Sequence, residues 1–148
     1  MSLYDSFKNS YDENKEYIKK VLSNKAPTSF LGEDAILVLN YLIKETKAKI
    51  KNKPKDLRSF TPVFYLPTKI LNEATGLSSA RQLKALKKLK TYGLIDLYYR
   101  KDDIRHTTAR IVRMIFTEFK DFYSRCKLTK FGSNEFYGRY DEPEDDSY

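Results

Sequence analysis

The sequence predicts an α+β fold, mainly helical, and three observations predict it. Apolar stripes with helical spacing recur over residues 11–23, 33–51, 68–75, 79–92 and 117–127, each bounded by proline, glycine or a capping residue. Two β-favouring runs, 94–99 and 109–116, flank one polar stretch, and a third short run lies at 63–66. Finally, 148 residues with 41% apolar and 14% aromatic side chains carry enough buriable surface for one core and hardly for two.

Each element has a local reason. Tyr11, Tyr17, Ile18, Val21 and Leu22 make a partial stripe that predicts a short amphipathic helix, broken between Asn24 and Thr28 by Pro27. From Gly32 onward, Ala35 to Leu39 and Tyr41 to Ile43 form an apolar band wider than one stripe. A central helix covered on more than one side is expected there. Residues 51–62 hold two prolines and four basic groups, which predicts a positively charged connection. Val63 to Leu66 favours a strand, stopped by Pro67. Ile70, Leu71 and Ala74 then give a short helix that Gly76 ends. Ser78 is placed to cap the following helix, 79–92, and Gly93 stops it. The β-rich runs after Gly93 read as a hairpin whose polar stretch is Arg100 to Thr108. Phe119, Phe122 and Tyr123 restore helical spacing, and the acidic end, 141–146, is expected to be unfolded. The chain therefore divides into an N-terminal helical extension (1–32), a central domain (33–116), a C-terminal helix (117–134) and an acidic disordered tail (135–148).

Composition excludes several classes. No run reaches the ~18 apolar residues that cross a bilayer, and the N-terminal Met-Ser-Leu-Tyr-Asp-Ser-Phe lacks a basic segment followed by an apolar one. Neither a membrane partner nor export by a signal peptide is expected, and the cytoplasm is the expected location. With one cysteine, Cys126, and one histidine, His106, a single chain builds neither an internal disulfide nor a His/Cys zinc cage. Phosphate-cradling glycine loops are absent, since none of the five glycines stands in Walker or dinucleotide spacing. Asp102 and Asp103 read as turn formers, His106 as a loop residue, and Cys126 as a small buried side chain beside aromatics. No catalytic residue, metal or cofactor is implied, and an enzyme is not expected.

The charge is unevenly placed. Residues 44–134 carry 22 basic and 8 acidic side chains, whereas residues 135–148 carry 1 and 6. A middle section at +14 is the footprint of a polyanion binder, with nucleic acid the first suspect. The rival account is a lysine-rich composition on solvated helix faces. Placement decides between them. At 100° per residue, with Leu83 at zero, the leucines at 83, 86 and 89 point near 300°, while Arg81, Lys84 and Lys88 cluster at about 160°, 100° and 140°. Three cations thus oppose the leucines.

The run Thr75-Gly76-Leu77-Ser78, then Leu83, Leu86 and Leu89, then Gly93-Leu94-Ile95, resembles the turn, recognition helix and exit into the wing of the winged helix-turn-helix family. The resemblance covers about residues 33–116 and implies a winged helix-turn-helix with additional N- and C-terminal helices. The long helix from Glu33, the basic connection, the strand and the wing are similar to the N-terminal domains of plasmid and phage replication initiators. Two positions depart from the pattern: Asn72 stands where alanine is common, and Gln82 where a buried aliphatic is common.

The expected function is duplex DNA binding, with the helix 79–92 in the major groove and the basic wing 100–110 alongside. Arg81 is the expected base reader, because its planar fork fits guanine O6 and N7. Lys84 is expected at a base or phosphate, Lys88 at a phosphate, and Ser79 and Ala80 close to the backbone. Arg100, Lys101, Arg105, His106 and Arg110 are expected to form a second positive surface on the wing. Replication initiation and transcription regulation of a plasmid or phage both fit. The terminal helices either pack on the domain or form the seam of a homodimer. Two rivals remain: a winged-helix protein-interaction module of a replication or conjugation complex, and a single-stranded DNA binder using Tyr98 or Tyr99.

Overall fold

Helix α1, Leu3–Ser23, begins ahead of the predicted Tyr11, because Ser2 caps it, accepting a hydrogen bond from the Asp5 N–H, and Tyr4 and Phe7 extend its buried side. The computed structural model describes residues 2–102, 104 and 107–129. Its class is α+β, mainly helical, with one small three-stranded antiparallel sheet.

The break expected around Pro27 is instead a helix, α2, Lys25–Leu31. Pro27 lies in its first turn, where a backbone N–H would have no helical acceptor anyway, so the proline costs nothing there. Helix α3, Glu33–Lys51, is the central helix the apolar band predicts. Val38, Leu39 and Leu42 are fully buried, and α1, α2, α4 and α5 all pack on it. The basic connection contains one 3-10 turn, Leu57–Ser59, and folds Phe60 inward. There Lys49 donates to the Thr61 carbonyl and lies over the Phe60 and Phe64 rings.

Strand β1, Val63–Tyr65, leads into α4, Thr68–Thr75, and α5, Ser79–Thr91. Strand β2, Ile95–Asp102, runs past the expected end at Tyr99, and β3, Thr107–Met114, has the expected length but starts and ends two residues earlier, so the polar loop between them is shorter. The order across the sheet is β1-β3-β2. Phe64 pairs with Val112 and Val112 with Leu97, a row that faces the helices and is buried. A 3-10 turn, Phe116–Glu118, then feeds α6, Phe119–Thr129.

The terminal helices pack on the domain and on each other. Phe7 and Tyr11 meet Phe116 edge-on, Tyr92 meets Phe122, and Phe119, Phe122 and Cys126 are fully buried. The faces considered for a dimer seam are therefore covered within the chain. Burial pushes the Cys126 thiol up to about 12, so it is a protonated core side chain at neutral pH. The acidic tail lies outside the described residues.

Two glycines fix where α4 and α5 stop. Gly76 ends α4 at φ 77°, and Gly93 takes φ 79° just past α5. At the second site the Gly93 N–H bonds to the Lys90 carbonyl and the Leu94 N–H to the Leu89 carbonyl, the paired closure of a Schellman motif. A Cβ on Gly93 would meet only the Glu118 carboxylate at 3.8 Å, an ordinary contact. The cost of Gly93→Ala is therefore conformational, about 1–2 kcal/mol by chemical denaturation. A loss below ~0.3 kcal/mol would show that this turn relaxes freely.

Candidate nucleic-acid interface

Helix α5 contains five cations and no carboxylate, and its first turn is capped by Ser78, whose hydroxyl accepts from the Arg81 N–H at 3.4 Å. Its buried residues are Gln82, Ala85, Leu86 and Leu89, while Leu83 is only half-buried. On the same wheel their mean direction is about 250°, not 300°, so the helix is rolled by roughly 50° from the leucine-only prediction. The outward direction becomes about 70°, which centres on Ala80, Lys84 and Lys87, with Lys88 on the flank. Ser79, Ala80 and Lys84 are exposed, Lys87 and Lys88 half-buried.

The physical cause of the roll is Gln82. Fully buried, its Nε2 donates to the Thr68 carbonyl at 3.0 Å and the Leu77 carbonyl at 2.9 Å. Its Oε1 accepts from Arg110 Nη2 at 2.8 Å. A buried amide with both ends bonded is at home beside a core. Asn72, the other departure, ties the turn between α4 and α5 by donating to the Leu77 carbonyl at 3.0 Å.

One expected contact is corrected, and a second residue is found engaged within the chain. Arg110, placed on the charged wing surface, is 9% exposed. It turns inward, bonding the Leu66 carbonyl through Nε and Gln82 through Nη2. The register explains this: Arg110 pairs with Tyr99 on the strand face that carries Leu97 and Val112, two and more residues from the loop. Arg81, the expected base reader, remains 59% exposed but is held at the flank of α5. Its Nε and Nη2 grip both oxygens of Asp34 on α3, at 2.9 and 2.7 Å. That hydrogen bond, then the opposite charge, keeps the Asp34 carboxyl below its ordinary range.

On the hairpin, Arg100 and Lys101 are exposed, and Arg100 Nη1 donates to the Tyr65 hydroxyl at 3.1 Å. Arg105 and His106 lie outside the described residues. Of the aromatics weighed as a stacking surface, Tyr92, Phe116, Phe119 and Phe122 are core. Tyr98 and Tyr99 are exposed on opposite faces of β2.

Sequence reasoning missed three groups on this side of the molecule. Lys87 enters the outward arc once Ala85 is counted as buried, a signal that was present in the helix itself. Tyr65 and Arg113 stand exposed on the outer sheet face, where Tyr65 and Tyr98 flank the buried Ile111. That face follows from strand register, which no local pattern supplies. Among the described residues no group of three His, Cys, Asp or Glu side chains gathers as a metal site, and no helix is long and apolar enough to cross a membrane. Comparison of the chain with known protein families, curated proteins and solved structures finds no match.

Proposed function

We propose that the chain is a winged helix-turn-helix protein that binds duplex DNA, with α5 in the major groove and the β2–β3 hairpin beside it. The observation that carries this reading is the carboxylate-free helix α5, which turns Ala80 and Lys84 outward while Gln82, Ala85, Leu86 and Leu89 anchor its other side. The element order α3, β1, α4, α5, β2, β3 and the sheet order β1-β3-β2 suit the same reading. With the helix rolled as described, Lys84 is the base-side contact, Ser79 and Ala80 approach the backbone, and Lys88, Arg100 and Lys101 serve phosphates. The natural target is DNA flanking its own coding region, as for a cytoplasmic replication initiator or a repressor of a mobile element.

A salt titration on random duplex and on that flanking DNA tests the proposal. For ~6 neutralised phosphates the log–log slope is roughly −5, and Lys84→Ala with Lys88→Ala together flatten it by about 2. A slope near zero, or one that ignores both substitutions, favours the protein-interaction module instead. The exposed pair Tyr65 and Tyr98 favours a second reading, a single-strand platform on the outer sheet face. Under it, Tyr98→Ala weakens binding to unpaired oligonucleotides more than to duplex.

A further inference from the structure

A cavity of about 350 Å³ opens between the N-terminal ends of α4 and α5 and the neighbouring sheet strands. Its wall includes Thr68 and Ser79, the first residues of those two helices, together with Arg110, Tyr65, Tyr99 and Leu83. Three features converge on it. Two helix starts present backbone N–H groups and the positive ends of their dipoles. Arg110 is nine-tenths buried yet, among the described residues, has only neutral acceptors, the Leu66 carbonyl and Gln82 Oε1. Those bonds use two of the five guanidinium N–H groups. A buried cation with no carboxylate beside it is unusual, because the Coulomb attraction that normally offsets its desolvation is missing. The remainder of the wall is tyrosine, leucine, proline and alanine with one further threonine, Thr108, a mostly apolar surface that suits a flat or apolar body attached to an anion.

We propose that this cavity binds the phosphate group of a phosphate ester about the size of a mononucleotide, with Arg110 and the two helix starts holding the phosphate and Tyr99 and Leu83 flanking the rest. The same chemistry is available from a soluble nucleotide or from one phosphate of a bound DNA strand. Binding of a free ester stands whether or not the duplex reading holds. Binding of a strand phosphate rests on it.

The experiment titrates the full chain at low salt with inorganic phosphate, thymidine 5′-monophosphate and thymidine, followed by calorimetry and amide NMR. The expected result is saturable binding of the monophosphate, weaker binding of phosphate, none of thymidine, and shifts at Thr68, Ser79 and Tyr99. Arg110→Gln should abolish it. Because that substitution touches the core, Ser79→Glu and Thr68→Glu are the decisive variants. Each puts a carboxylate in the first turn of a helix, which the helix tolerates, and each should weaken the monophosphate at least tenfold without lowering Tm. If the monophosphate fails to bind, duplexes carrying one methylphosphonate at a time are measured. A loss at one position in the wild type that disappears in Ser79→Glu assigns the cavity to a strand phosphate. Monophosphate binding that ignores both glutamate variants overturns the proposal, as does the absence of both monophosphate binding and a position-specific methylphosphonate effect.

Discussion

Gln82→Leu is expected to cost about 2–4 kcal/mol of folding stability, although it places an apolar side chain of similar size on the buried side of a helix. The reason is where the amide's bonds end. Gln82 joins α4 at the Thr68 carbonyl, the following turn at the Leu77 carbonyl, and β3 at the Arg110 guanidinium. Leu77 keeps a second donor in Asn72, and the Thr68 carbonyl sits in a helix, so neither is stranded. Arg110 is different. It would keep one bond, to the Leu66 carbonyl, while its Nη2, on a side chain only 9% exposed, lost a charge-assisted partner. Most of the loss should therefore come from a charge left without its acceptor, not from the missing amide contacts. Chemical denaturation of Gln82→Leu, Arg110→Leu and the double variant separates the two. The double variant should recover more than half of the summed single losses, because two apolar groups leave nothing unsatisfied. Strict additivity would show that the two side chains stabilise the fold independently.

That joint also marks the line between what was legible in the sequence and what was not. The limits of α5 were legible because they are local: Ser78 as cap and Gly93 as stop are chemistry that acts within one turn. The start of α4 and its glycine end were legible for the same reason. The roll of α5 was not, because it depends on Gln82 finding partners 14 and 28 residues away. A glutamine at an apolar position reads as a fault until those partners are known. Arg110 misled in the complementary way: an arginine in a basic stretch reads as solvated, and only the pairing of β2 with β3 shows that it lies on the core-facing side. Helix α2 was lost to a rule applied one position too broadly, since proline breaks a helix interior but not its first turn. Tyr4 and Phe7 were available as the start of α1, with Ser2 and Asp5 as its cap. The stripe from Tyr11 alone hid them.

Asp34→Asn should tighten duplex binding by about five- to tenfold at low salt, the opposite of what removing a conserving ion pair usually does. Asp34 lies in the first turn of α3 and holds Arg81 in a two-pronged grip that faces away from the outward arc of α5. While that grip is made, the guanidinium on the flank of α5 is neutralised, and a carboxylate sits beside the surface proposed to meet DNA. Asparagine removes the charge, keeps an acceptor, and leaves Glu33 to serve the helix start. A double-mutant cycle makes the argument testable. Arg81→Ala should change duplex affinity little in the native background, where the side chain is engaged, and should erase the gain in the Asp34→Asn background. If Arg81→Ala weakens binding equally in both, Arg81 already leaves Asp34 whenever DNA arrives, and the grip imposes no restraint. The pair should not respond to physiological pH. Its carboxyl is lowered in the folded chain, so the stability it contributes is present above the ordinary carboxylate value near ~3.9 and is lost as pH falls through the lowered one. Between about pH 5 and 8 the grip stays charged, and salt or a competing anion, rather than protons, is what can loosen it. The gain from Asp34→Asn should accordingly hold across that range and shrink as salt rises.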